Sequence, residues 1–227
     1  MSFTVRDYQI RVNSLGLPMA PLTVDNENGP NTRNGIKEAK KALHVLHKED
    51  IFHPSGITRV HWHWTASTHL VTPEVASHYN NVFDINGKEY LGGAPAKDQA
   101  RYSYKGDNPI GVSHTYHGNT GAIGMGVVAC AGREVLDWGK GIVNIGKYPM
   151  SWPQIDAMLE RTARYCIEFD IRPSEWTTIT HAEVQDNIGI KQRGKWDIRV
   201  LPDAPTKLLG VKEAGDILRA RMIEKFM

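Results

Sequence analysis

The sequence predicts an α/β protein, a mixed central β-sheet flanked by helices and preceded by a small helical module. Three observations predict it. Residues 1–56 lack strand-like runs and are punctuated by Pro18, Pro21, Gly29, Pro30 and Pro54. From Ile57 onward, apolar stretches with the strand period of two appear at Val60–Trp64 and Ala122–Cys130. Two later stretches, beginning near Ser151 and Val211, carry apolar residues at helical spacing instead.

In the first module, Ile36, Ala39, Leu43 and Leu46 recur at helical spacing while Lys37, Lys40, Lys41 and Lys48 take other positions. This predicts an amphipathic helix with a cationic, solvated outer face. In Val60-His61-Trp62-His63-Trp64 the alternation puts Val60, Trp62 and Trp64 on one face, as core, and His61 and His63 on the other, as pocket. Val82–Ile85 and Lys88–Leu91 flank Asn86-Gly87, the signal of a hairpin. In the run from Ala122 to Cys130, Ile123, Met125 and Val127 alternate with Gly124 and Gly126. The missing side chains leave room on that face for a substrate or a close backbone.

Ser151-Trp152-Pro153-Gln154 reads as a capping-box start. Ile155, Met158, Leu159, Ala163, Cys166 and Ile167 continue that helix toward Arg172-Pro173, packed on the sheet. Val211, Ala214, Ile217, Leu218 and Met222 predict a closing helix at the carboxy terminus.

Composition narrows the classes without choosing one. With 227 residues, 41% hydrophobic and 23% charged, the chain can bury one good core plus a small appendage and is neither disordered nor fibrous. A net charge of +2 is too small to argue for nucleic acid, although it permits weak attraction to acidic surfaces. The amino terminus, Met1–Asp7, lacks the apolar core of a signal peptide, and no run reaches the length of a membrane span. Cytoplasmic synthesis is the expectation. Cys130 and Cys166 read as buried small hydrophobes rather than a disulfide, and their spacing carries no metal motif.

The chemistry-bearing segments are His61-Trp62-His63-Trp64-Thr65-Ala66 and, far along the chain, His181-Ala182-Glu183-Val184 followed by Lys195-Trp196-Asp197. Together they offer two imidazoles and a carboxylate, a ligand set that binds zinc and leaves a position open for water. Either His61 or His63 can supply the first imidazole.

Two resemblances give this pattern a context. Gln9, Leu15-Gly16, Val24-Asp25 and Gly29-Pro30-Asn31-Thr32 followed by Ile36 resemble the small three-helix peptidoglycan-binding domain over about residues 5 to 50, with Asn26-Glu27-Asn28 departing from the usual Asp-Gly of its loop. There Thr32 is placed to cap orphan helix amides. Residues 57 to 202 resemble the zinc-dependent N-acetylmuramoyl-L-alanine amidases, which include phage amidase-type lysozymes and peptidoglycan recognition proteins. The small Thr65-Ala66 pair selects His63 over His61 as first ligand, His181 matches the second, and Asp197 the third.

That resemblance implies Zn2+ held by His63, His181 and Asp197, with Tyr79 and Lys195 as catalytic residues. Without it, Tyr79 is an ordinary aromatic of a half-buried strand and Lys195 a solvated lysine. If residues 195–197 are extended, Lys195 and Asp197 face the same way. His114, in Ser113-His114-Thr115 before the central strand, falls near the pocket as a substrate-binding or supporting residue. His44, His47, His69, His78 and His117 read as surface residues. Gly126 stands where some relatives carry a glutamate base, and the segment from Gln185 to Gly194 lengthens the gap between His181 and Asp197 as an inserted loop would.

The organisation implied is a peptidoglycan-binding-like domain at 1–56 and a catalytic domain at 57–227, in a monomer whose partner is peptidoglycan and not nucleic acid or membrane. The activity implied is hydrolysis of the bond between N-acetylmuramic acid and L-alanine, as in a phage endolysin acting on the wall after release. A binding-only recognition protein and a zinc peptidase cutting within the stem peptide are the alternatives.

Overall fold

The alternation at residues 60–64 becomes an interior strand of a mixed sheet in the computed structural model, which describes residues 3–104 and 108–227. In chain order the strands are β1 (Arg59–Trp64), β2 (Asn81–Phe83), β3 (Glu89–Leu91), β4 (Ala122–Val127), β5 (Glu134–Asp137), β6 (Ile142–Asn144) and β7 (Thr178–Thr180). Five of them form a sheet in the order β3-β2-β4-β1-β7, and β5 and β6 form a separate ribbon. β2, β4, β1 and β7 run parallel; β3 is the antiparallel edge. The helices are α1 (Val5–Ser14), α2 (Pro30–Ala42), α3 (Pro73–Ser77), α4 (Trp152–Glu168), α5 (Glu183–Ile188) and α6 (Val211–Phe226). The α/β class and mixed, helix-flanked sheet are as the sequence predicts.

The two faces of β1 divide as their side chains dictate. Val60, Trp62 and Trp64 join Ile123, Met125 and Val127 of β4 in one buried cluster with Met158, Leu159, Ala163 and Cys166 of α4 and Ala214, Leu218 and Met222 of α6. Trp62 is fully buried, and its indole N–H donates to Thr162 Oγ1 at 2.9 Å, which satisfies the one polar group that burial would otherwise strand. Both cysteines are buried and unpaired. Among the described residues, no helix is long and apolar enough to cross a membrane.

Several elements differ from expectation for local reasons. α2 ends at Ala42, because His44 adopts φ +55°, the left-handed conformation that stops helices, so Leu43 and Leu46 fall outside it and Leu46 is exposed. Thr32 does not cap α2. The N-cap is Gly29, and the buried Thr32 hydroxyl sits in the first turn, donating to Glu27 O at 3.0 Å and accepting from Gln9 Nε2 at 3.1 Å. α4 stops at Glu168, short of Arg172, with Asp170 at φ +50°, and Ile167 and Ile217 lie on solvent-facing sides of their helices. Ser151 does cap α4, but the Gln154 side chain turns inward to donate to Phe83 O and Val128 O, tying the helix start to two strand ends. The Asn86-Gly87 hairpin forms with a longer loop, its last pair being Phe83 and Glu89.

Residues 1–56 contain α1, α2 and a 3-10 turn at Lys48–Ile51, with a small core of Tyr8, Val12, Leu22, Ala39, Ile51 and Phe52. Thr4 and Asp7 cap α1 reciprocally. Every residue from Tyr8 to Ser14 is buried, which a helix packed on one side only does not achieve. The second contact is with the larger part of the chain. Arg59, 4% exposed, pairs with Asp7 at 3.1 Å, Arg11 reaches Asp170 at 2.9 Å, and Ile10 enters a cluster with Ile179, Val184, Ile188 and Ile190.

Candidate metal centre

His63 and His181 meet at the carboxyl ends of adjacent parallel strands, the edge at which α/β sheets place ligands. His63 is the penultimate residue of β1 and His181 follows β7 directly. Asp197 comes from the turn beyond α5, and its carbonyl accepts from Ala182 N at 2.7 Å, which fixes the third segment to the second. The three expected ligand residues are therefore brought together.

Their donor atoms form a nearly equilateral triangle. His63 Nδ1 is 3.0 Å from His181 Nδ1 and 3.2 Å from Asp197 Oδ2, and His181 Nδ1 is 3.1 Å from Asp197 Oδ2. A tetrahedral ion with bonds of roughly 2.0–2.1 Å holds its donors about 3.3 Å apart, so the triangle has the size of one face of such a site. All three residues are at least nine-tenths buried. Three converging lone pairs in a buried place repel one another unless a proton or a cation sits between them. The residues fit a divalent metal, although nothing in the arrangement selects zinc over its neighbours.

Two hydrogen-bond chains orient the imidazoles. Gln192 is buried and spends its amide N–H groups on Tyr116 O and Ile190 O, so its Oε1 accepts from His181 Nε2 at 2.9 Å and leaves Nδ1 facing the centre. His114 Nε2 lies 3.0 Å from Ala122 O, a pure acceptor, so that nitrogen carries the proton and Nδ1 accepts from His63 Nε2 at 3.2 Å. His63 Nδ1 is thereby also left free. His114 thus orients the His63 ring. The Thr115 hydroxyl, 2.9 Å from His114 Nδ1 and 3.0 Å from His61 Nδ1, extends this network, and Asn119 Oδ1 holds the loop by accepting from the backbone N–H of both 114 and 115.

His61, His63 and His114 make a second group of metal-ligand type, and His63 is common to both. Because the Thr115 hydroxyl lies among these rings at hydrogen-bond distances, the second group reads as the support of His63 rather than as a separate centre.

The electrostatics follow from burial and mutual contact. Burial, followed by the neighbouring His181, pushes His63 down to about 4, and burial holds His61 and His114 well below the ordinary imidazole value. Burial works against the Asp197 carboxylate, but His181 and His63 outweigh it and hold that carboxyl far below its usual range. Burial disfavours charge on His181 as well, yet Asp197 raises it on balance.

The glycine face of β4 is not open space, as the sequence suggests. A Cβ at Gly124 would lie 2.4 Å from the His114 ring, and one at Gly126 would lie 3.0 Å from the Tyr79 ring. These two rings fill the room and flank His63 with centroid separations of 5.2 and 5.4 Å. Gly124→Ala is therefore expected to displace His114 and weaken metal binding by about ten- to a hundredfold, the usual effect of losing a partner behind a ligand. Metal titration of the variant checks this.

Lys195 differs from its expected placement. Residues 193–194 form a turn, no strand covers 195–197, and Lys195 is exposed at the rim while Asp197 is buried at the base. The lysine lines an open groove of about 860 Å³ that reaches His181 and His114 and is also bordered by Tyr102, Tyr104, Tyr116 and Arg193. His44, His47, His78 and His117 are exposed, and His69 is partly so. The long gap before Asp197 holds α5 and Gln192. No signal in the sequence marks that glutamine, because its role depends on a loop folding back onto His181.

No family model, curated protein or solved structure matches the chain.

Proposed function

We propose that this chain is a metal-dependent peptidoglycan hydrolase that cleaves the amide between N-acetylmuramic acid and L-alanine of the stem peptide. The observation that carries this reading is the triangle of His63, His181 and Asp197 beside a groove large enough for several sugar or amino-acid units. The match of Thr65-Ala66, Tyr79 and Lys195 to the amidase pattern supports the choice of bond. The amidase resemblance chooses Zn2+ among the divalent ions that fit this donor set, and when bound it would supply Lewis acidity and water activation near neutral pH.

The chain's own residues do the rest. Gln192 and His114 keep the two imidazoles in the tautomer that presents Nδ1. Tyr79 packs against His63, and burial, then Asp197, raise its phenol above the ordinary value, so at neutral pH it is a hydrogen-bond donor and not a base. It donates to the carbonyl oxygen as negative charge develops there. Lys195, at the rim, brings a cation to the same charge as the substrate fills the groove and excludes water. The groove's tyrosines offer faces to sugar rings and hydroxyls to the peptide. Residues 1–56 are proposed to hold the enzyme at the wall, and phage-type lysis from within is the setting the two resemblances imply.

Tyr79→Phe and Lys195→Met are expected to retain metal and to lose turnover by on the order of ten- to a thousandfold, since each removes one hydrogen bond or charge from the transition state. Metal content and single-turnover rates on soluble muropeptides check it. Unchanged turnover in both variants would return these residues to packing and solvation.

A further inference from the structure

We infer that the first helix is a working part of the metal centre, because Ile10 of α1 and Val24 of the following loop position Gln192 and, through it, His181. This rests on reading His63, His181 and Asp197 as a metal site.

Ile10 is 1% exposed and belongs not to its own module's core but to a cluster with Ile179, Val184, Ile188 and Ile190, which Val24 and Trp176 close. These residues bracket the second ligand. Ile179 is in β7, two residues before His181, Val184 and Ile188 are in α5, and Ile190 is two residues before Gln192. The backbone is in close contact as well. Gly189 ends α5 at φ +66°, and a Cβ there would lie 2.3 Å from Val24 O, so only glycine admits this approach. Arg6 Nη2 reaches Gly189 O at 3.4 Å.

From this point the path to the metal is short. Gln192 Nε2 donates to Ile190 O at 3.3 Å and to Tyr116 O at 2.9 Å, its backbone N–H to Gln185 Oε1 at 3.2 Å, and its Oε1 accepts from His181 Nε2 at 2.9 Å. α5 has only six residues, too short to hold its shape without packing, and Ile10 supplies packing to its Val184 and Ile188 while Arg219 holds its Glu183. A gap left at Ile10 lets Ile188 and Ile190 settle inward, which moves the Gln192 amide away from the imidazole it orients. Ile10 is a positioning residue, since it acts on the metal through two others.

The experiment is a Zn2+ titration of the full chain against a chromophoric chelator, with Ile10→Ala compared with Val12→Ala. Val12, 2% exposed, belongs to the module's own core and serves as the control for loss of packing alone. Ile10→Ala is expected to weaken zinc binding by roughly tenfold or more and to speed amide hydrogen exchange over residues 183–192, with Ile10→Val recovering most of both. Val12→Ala is expected to lower the Tm while leaving zinc affinity as in the parent. Equal zinc affinity in Ile10→Ala and the parent would overturn the inference, and so would equal exchange at 183–192. If Ile10→Ala does not fold, Ile10→Val alone decides, through a smaller shift in the same two readings. A parent chain that takes up no metal would instead reject the metal centre, and the exchange comparison would still report whether α1 holds this loop.

Discussion

His63→Ala is expected to empty the metal centre and to abolish hydrolysis in the same step. His63 belongs to both clusters of ligand-type residues and touches both His181 and Asp197, so its loss leaves two donors, and the neighbouring imidazoles are engaged elsewhere, His114 with Ala122 O and Thr115 and His61 with Thr115. Removing several kcal/mol of charge stabilisation at the carbonyl lowers the rate by roughly a thousandfold or more. Metal per chain and clearing of a wall suspension, measured on one preparation, check the two losses together. His61→Ala, by contrast, is expected to keep the metal. Full metal content and full activity in His63→Ala would move the ligand role to His61 or elsewhere.

Arg219→Met is expected to cost about 3–5 kcal/mol of stability, the usual cost of stranding one member of a buried ion pair. Glu183 is completely buried, and Arg219 meets its two carboxylate oxygens at 2.7 and 3.2 Å while also donating to Thr178 O at 2.9 Å. Burial raises the Glu183 carboxyl even with the guanidinium against it, so without Arg219 the group takes up a proton or pulls α5 away from α6. Glu183 lies two residues beyond His181, and its Oε2 accepts from Thr180 N at 2.8 Å, so the damage falls on the strand end that carries the ligand. Gly215→Ala attacks the same contact, since a Cβ there would stand 2.2 Å from both carboxylate oxygens. Urea unfolding of both variants, with and without added Zn2+, measures the cost and how much of it metal binding restores.

The sequence carries the parts of this molecule that depend on local period and residue type. Val60, Trp62 and Trp64 on one face with His61 and His63 on the other follow from the pleat of a strand, and α4 and α6 follow from helical spacing. His63, His181 and Asp197 are legible as metal-ligand types, and the amidase resemblance picks out those three positions. What escapes is set by long-range packing. Gly124 and Gly126 read as room for a substrate or a close backbone because nothing local says that His114 and Tyr79 arrive to fill it. Gln192 sits in a stretch without periodicity, and its function exists only once residues 189–192 fold back onto His181. The burial of α1 on two sides is likewise a property of the assembled chain. Leu46 falls outside its helix, and Ile167, inside α4, faces solvent, for a simpler reason: spacing alone does not show where a left-handed residue ends a helix or which side faces water.

The most direct test of the central claim is mass analysis of the products released from purified peptidoglycan by the zinc-loaded protein. Stem peptides bearing a free L-alanine amino terminus, together with glycan strands stripped of peptide but uncut between sugars, are the expected result. Fragments cut inside the stem peptide would contradict the proposed bond and favour a zinc peptidase, and tight wall binding with no product at all would contradict the enzyme and favour a recognition protein.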